Sequence, residues 1–287
     1  MGFSLQSGES ALTASALVED RRAGRGTAMI ALNHELPDDA IKPMSAVSAQ
    51  ALARSMDETG VAVLGDVLPQ ALLARLRNSI AELIEQQGAR YFGFYGAQWM
   101  ASSCLAELYH DPGLLALLRQ LYERKMGAPP PSDRILPVMR VLTGTQGIRH
   151  SNNFHYDSYV VSILLPVQIP HGLHEPEGSL VMFPNLREVR RSAIVNIVEK
   201  VVVEKLLGPV WRLPLVQRWL SARVVSLTPG DLYFFWGMRS LHANQACAPS
   251  SVRCTVLLHF GDPHENSVFK GLSQRLHSMR LRRMARD

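Results

Sequence analysis

Cysteine is scarce in this chain: Cys104, Cys247 and Cys254 make an odd three with no C-x-x-C spacing. Neither a disulfide framework nor a structural zinc site is indicated, which fits a reducing, cytoplasmic setting. A long uncharged apolar run is also missing. The most apolar long segment, Ala193 to Trp211, is broken by Glu199, Lys200, Glu204 and Lys205. Charges there are costly in a bilayer, so neither a membrane span nor a membrane partner is expected. The N-terminus lacks the charged start and apolar core of a signal peptide. Aromatic residues reach only 7% and charged residues 19%, against 47% hydrophobic, a balance suited to a globular protein of 287 residues with a sizeable core. Internal repeats and low-complexity tracts are absent.

An excess of positive charge is present, but it is local. Lys270 to Asp287 carries six basic residues against one acid, which leaves 24 of each sign elsewhere and accounts for the whole formal charge of +5. A basic C-terminal helix reads as a solvated surface that complements its own dipole, so no nucleic-acid partner is expected.

The chain divides by character. Residues 1–45 hold no sustained period and read as a partly ordered extension. Residues 46–130 read as helical support: Ser48 to Thr59 stops at Gly60, Val61 to Leu64 makes a short strand, Pro69 opens a second helix, and a third lies within Asp111 to Lys125. After Pro129-Pro130-Pro131 the pattern becomes short strands bounded by Gly and Pro, so 131–262 reads as a β-sandwich or barrel. An amphipathic helical insertion, 185–222, interrupts it. Its apolar face (Ile194, Val195, Ile197, Val198, Val201, Val202) is expected to pack on the sheet, and Arg187, Arg190 and Arg191 before it read as a solvated charge run. A basic helix, 263–287, closes a single domain spanning 46–287.

The stretch Phe154-His155-Tyr156-Asp157-Ser158-Tyr159 precedes an apolar, β-branched run. Read as one strand, it points His155 and Asp157 the same way. An imidazole beside a carboxylate is two thirds of the 2-His-1-carboxylate face that holds non-haem Fe(II). His242 follows the turn Thr228-Pro229-Gly230-Asp231 and an apolar strand, where a third ligand returns across a barrel. Arg253 and Thr255 share one face of the final strand, and an inward Arg there calls for an anion.

Taken together, His155-x-Asp157, the turn before His242 and Arg253-x-Thr255 resemble the Fe(II)- and 2-oxoglutarate-dependent dioxygenases, in the branch similar to phytanoyl-CoA dioxygenase and bacterial small-molecule hydroxylases, including those acting on N-acyl amino acids. The resemblance runs from about Ser48 to Phe260. It implies a mainly β fold, a double-stranded β-helix of the jelly-roll, cupin-like kind, with helical support. It also implies Fe(II) on His155, Asp157 and His242, 2-oxoglutarate on Arg253 with Thr255 assisting, and dioxygen as co-substrate. The expected reaction is hydroxylation of a small, carboxylate-bearing molecule with release of succinate and carbon dioxide. Desaturation, epoxidation and cyclisation would use the same residues. Iron halogenases similar to this family carry Gly or Ala at the position of Asp157, so its carboxylate argues for oxygenation.

Substrate contacts are expected from Arg140, Asn153, Phe154 and Tyr159, with Arg149 a further anchor. Trp236 reads as a structural aromatic, and His150, His171, His174, His259 and His264 as ordinary polar histidines. Two alternatives stay open: a cupin-like metal enzyme without 2-oxoglutarate, acting as isomerase or hydrolase, and a non-catalytic binding module. The oligomeric state is open too, a homodimer being one option.

Overall fold

The computed structural model describes residues 40–145, 151–170 and 178–267, with the backbone alone of two short strands, β1 (Leu17–Glu19) and β2 (Ala28–Ile30). The rest of the N-terminal extension, Arg149, His150, His171, His174 and the C-terminal helix from residue 268 onward lie outside the described residues.

Helices form where caps and periodicity allow. Ser48 accepts from the Ala51 N–H at 3.3 Å to open Ala49–Thr59, and Gly60, at φ 88°, ends it in the left-handed region. That glycine also passes so close to Pro184 that a Cβ would lie 2.4 Å from the proline ring. Gln70–Gln87 follows Pro69, and Asp111 caps Pro112–Met126 through the Gly113 N–H at 2.7 Å.

The remaining strands are β3 (Ala62–Leu64), β4 (Phe92–Tyr95), β5 (Ile135–Leu142), β6 (Val161–Gln168), β7 (Leu180–Phe183), β8 (Arg223–Val225), β9 (Leu232–Trp236), β10 (Leu241–Asn244) and β11 (Arg253–Phe260). A larger sheet runs β1-β2-β3-β9-β6-β11-β5-β4 and a smaller one β10-β7-β8; all pairings are antiparallel except β2 with β3. The strands β9 and β11 are buried throughout, and β6 up to Val167, because both of their faces are covered. One face carries Ile163, Leu165, Phe234, Trp236, Val256 and Leu258 against Leu52, Met56, Leu73 and Leu118 of the supporting helices. The other carries Leu164, Tyr233, Phe235 and Leu257, which meet Leu180, Met182 and Val225 of the smaller sheet. The two sheets therefore enclose an apolar interior.

The insertion comprises the helix Ala193–Val201, a π-helical turn Val202–Leu206, and short helices Gly208–Trp211 and Pro214–Trp219. Its orientation reverses the expectation. Ile194, Val195, Ile197, Val198 and Val201 face outward, while Asn196 and Val203 are buried. Arg187 explains the reversal. It is buried, with its guanidinium 3.8 Å from the Tyr156 ring, and it donates to Glu199 and Asn196 at 2.9 Å and to the Met238 carbonyl at 2.7 Å. A buried cation must be neutralised and hydrogen-bonded, so the polar face of the helix is the one that docks. Arg190 also pairs with Glu199 at 2.7 Å, so two of the three arginines form an anchor and not a solvated run.

Candidate metal centre

His155 and His242 face each other across an isolated antiparallel bridge, joined by reciprocal N–H to carbonyl hydrogen bonds of 3.0 and 3.1 Å. The motif and the apolar run after it are thus not one strand: β6 begins only at Val161, after a change of direction at Ser158 and Tyr159. Alternation still holds locally. His155 and Asp157 turn toward the interior, while Phe154 and Tyr156 are buried in a separate outer cluster with Phe183, Leu241 and Val203 of the insertion.

The ligand atoms of His155, Asp157 and His242 all lie within 4.8 Å of one another. The Nε2 atom of His155 is 3.8 Å from Asp157 Oδ1, and that of His242 is 3.7 Å from Oδ2. Backbone carbonyls set the tautomers: Asn153 O lies 2.8 Å from Nδ1 of His155, and Ser240 O 3.0 Å from Nδ1 of His242. A carbonyl only accepts, so each Nδ1 carries the proton and each Nε2 presents its lone pair to the centre. Two imidazole nitrogens and a carboxylate on one side of a point form a donor set that fits a first-row divalent ion with bonds of about 2.1 Å, closed by small side-chain rotations.

The electrostatics agree. Burial, reinforced by the facing His242, depresses His155 to about 3, so its ring is neutral and able to ligate. Burial works the other way on Asp157, yet His259, His242, His155 and the Ser162 hydroxyl together hold its carboxyl below the usual carboxylate range.

Three further residues complete the centre, and the sequence reading missed them. Ser162 donates to Asp157 Oδ2 at 2.5 Å, and His259 Nδ1 lies 3.0 Å from the same hydroxyl. Since the serine proton is engaged, His259 must donate to the oxygen, giving a chain from imidazole to hydroxyl to carboxylate. A usable signal existed: His259 shares the alternation of Arg253 and Thr255, and it pairs in register with Ser162. The third is Gly237, where a Cβ would lie 2.3 Å from Ser162 Oγ and 2.6 Å from Asp157 Oδ2.

Arg253 is buried on the interior face of β11. It donates to the Gly178 carbonyl at 2.6 Å and to Thr255 Oγ1 at 3.3 Å. Burial lowers its guanidinium to about 10, and among the described residues the groups acting on it are Cys247, Arg140 and Cys254, none of them a carboxylate. Arg140 stands opposite Thr255 in register, and its Nε is buried with no hydrogen-bond partner among the described residues. Its charge also acts on His155 and His259, which puts it on the same interior as the centre.

Tyr159 stacks on His259 with ring centroids 5.3 Å apart, and burial raises its phenol to about 12. Asn153 is exposed; it accepts from Arg212 of the insertion at 3.1 Å, so it ties insertion to metal loop. Phe154, expected among the substrate contacts, instead packs on Phe183 with centroids 5.5 Å apart and faces away from the centre, because alternation sends it to the opposite side from His155. Trp236 is buried on the helical side and donates to Asp57 at 2.9 Å, as expected of a structural aromatic. Lys200 of the insertion donates to Ser158 Oγ at 3.1 Å, next to Asp157.

No family model matches this sequence, and no curated protein does. Solved structures are similar. One is a prolyl 4-hydroxylase from Phytophthora capsici, with 14% identity and a TM-score of 0.50 over 77% of this chain, which spans 64% of the length of that one. Another is a prolyl hydroxylase from Trichoplax adhaerens, in complex with a hypoxia inducible factor oxygen degradation domain peptide fragment: 12% identity, TM-score 0.50, 77% of this chain and 91% of that one. A third, the non-heme alpha ketoglutarate dependent carbocyclase SnoK from nogalamycin biosynthesis, reaches 16% identity and a TM-score of 0.49 over 78% of this chain and 87% of that one. What this chain shares with the prolyl hydroxylases, at such identities, is the fold.

Proposed function

We propose that this protein is a non-haem Fe(II)- and 2-oxoglutarate-dependent oxygenase on a double-stranded β-helix, organised as one domain over 46–287 behind an extension of 1–45. The observation that carries the reading is the pairing of two features in one interior: a tautomer-fixed His155, Asp157 and His242 set, and a buried Arg253 that has no carboxylate partner among the described residues. The fold shared with prolyl hydroxylases supports it.

His155, Asp157 and His242 would hold Fe(II), leaving its other positions for 2-oxoglutarate and dioxygen. Bound iron supplies the oxidative decarboxylation of 2-oxoglutarate to succinate and carbon dioxide, coupled to oxidation of a substrate C–H bond. The chain's own residues bind and orient. Arg253 pairs with the distal carboxylate of 2-oxoglutarate through its fork of donors, Thr255 steadies that fork, and the Gly178 carbonyl fixes its Nε. Ser162 and His259 hold Asp157 in one rotamer, and the apolar walls of Leu164, Tyr233, Phe235 and Leu257 exclude water. Arg140 offers a substrate carboxylate a buried Nε that has no hydrogen-bond partner among the described residues, so we assign the substrate to small carboxylate-bearing molecules such as an amino acid, an N-acyl amino acid or a secondary-metabolite intermediate. Hydroxylation is the reaction we favour.

The test is an anaerobic titration with Fe(II) and then 2-oxoglutarate, read by the weak visible charge-transfer band of the bidentate co-substrate. Its absence refutes the reading. Replacing Arg253 by Leu should keep Fe(II) binding and remove 2-oxoglutarate binding; full turnover in that variant would point instead to metal chemistry without 2-oxoglutarate.

A further inference from the structure

The insertion presents the protein with its polar side and solvent with its apolar side. Asn196, Glu199 and Lys200 contact Arg187, Arg190 and Ser158, whereas Val195, Val198, Val202 and Leu206, at helical spacing, are exposed. Leu206 is 69% exposed, and the short helices beyond continue the display, with Leu215 80% and Trp219 83% exposed. Side chains this apolar, projecting from one continuous stretch, mark a surface that meets something.

Charge selects the occupant. Between Leu186 and Val224 there are eight basic residues (Arg187, Arg190, Arg191, Lys200, Lys205, Arg212, Arg218, Arg223) and three acids (Glu188, Glu199, Glu204). The acids are engaged: Glu199 with Arg187 and Arg190, Glu188 with Arg239, and Glu204 acts on Lys200. Arg191, Lys205 and Arg218 are exposed in the same stretch as the apolar side chains, as is Arg212, which also donates to Asn152 and Asn153. A second copy docking by a two-fold contact would oppose this positive segment to itself. The basic stretch 270–287 carries the same sign and is repelled likewise. An anionic bilayer surface suits both halves of the pattern, since it takes exposed Leu, Val and Trp into the headgroup boundary and attracts the cations around them.

We propose that the insertion 186–224 docks the protein onto an anionic lipid surface. The contact is peripheral, as no helix among the described residues is long and apolar enough to cross a membrane. This revises the expectation drawn from the sequence. Of the charges that broke the apolar segment and argued against a bilayer, Glu199 and Lys200 are turned to Arg187, Arg190 and Ser158, while Lys205 is exposed on the apolar side. The proposal is independent of the chemistry at the metal centre, so each can fail without the other.

The test is co-sedimentation of the full chain, without added metal, with vesicles of phosphatidylcholine alone or mixed with phosphatidylglycerol. The expected result is retention on the mixed vesicles, little on the neutral ones, and release by salt. Leu206→Ser/Leu215→Ser/Trp219→Ser should weaken binding at least tenfold, as should Lys205→Glu/Arg218→Glu, with circular dichroism and thermal midpoint unchanged because these side chains are exposed. Three results would overturn the proposal: no retention of the native chain, equal retention of the variants, or a dimer in sedimentation velocity that the triple variant breaks up.

Discussion

Gly237→Ala isolates the support of the metal ligands from the ligands themselves. The added Cβ would stand 2.3 Å from Ser162 Oγ, 2.6 Å from Asp157 Oδ2 and 2.9 Å from Asp157 Cβ. Retreat of the backbone is blocked on both sides, because the Gly237 N–H donates to Val160 O at 3.1 Å and its carbonyl accepts from the Asp157 N–H at 2.9 Å. Ordinary contact needs about 3.3 Å or more, so carboxylate and hydroxyl must together yield by close to ~1 Å. Overpacking of this kind costs about 1–3 kcal/mol, which for a chain of this size lowers the thermal midpoint by roughly 2–5 °C. Loss of a ligand's supporting hydrogen bond weakens metal binding by about 10- to 100-fold. Anaerobic calorimetric titration with Fe(II), or with Mn(II) as a redox-quiet probe, measures the second effect, and a metal-free thermal scan the first. Gly178→Ala is the contrasting variant. Its Cβ would meet Cys247 Sγ at 2.5 Å and Arg253 Cδ at 2.6 Å, so it should spare the metal and weaken 2-oxoglutarate. Native metal affinity in Gly237→Ala, or a larger metal defect in Gly178→Ala, would refute the reasoning.

Replacing Arg187 by Met leaves Asn196 and part of Glu199 without their buried partner, which should cost about 3–5 kcal/mol; limited proteolysis should then cut within 193–222 well before the sheets, and an unchanged cleavage pattern would show that the insertion is held otherwise. The metal-free protein should lose stability as the pH falls below about 6.5, because the unfolded chain protonates its histidines there. Burial holds His259 below its ordinary value and His155 down at about 3, so the folded state does not take up those protons. Chemical denaturation at pH 7 and pH 5 should show the fall, and a His259→Gln variant should show a shallower one; equal slopes would mean that His259 does not contribute.

How much of this was legible in the sequence depends on whether a residue's role follows from its own strand. Ile135 to Leu142 and Leu232 to Trp236 were readable because continuous β-branched and aromatic runs admit little else, and Gly60 because a helix stop leaves few choices. The pairing of Arg253 with Thr255 needed only alternation, which β11 obeys. The support of Asp157 was hidden for the opposite reason. It joins Ser162 of β6, His259 of β11 and Gly237 after β9, three positions that become neighbours only when β6 lies between β9 and β11. A serine within an apolar run and a histidine within another look incidental until that order is known. The insertion failed differently. A hydrophobic period states that a helix has an apolar side, but the side that docks is set by the competing demand of a buried charge, here Arg187, whose partners Asn196 and Glu199 lie on the polar one. Satisfying one buried guanidinium outweighed covering several valines, because an unpaired buried cation costs more than apolar surface left in water.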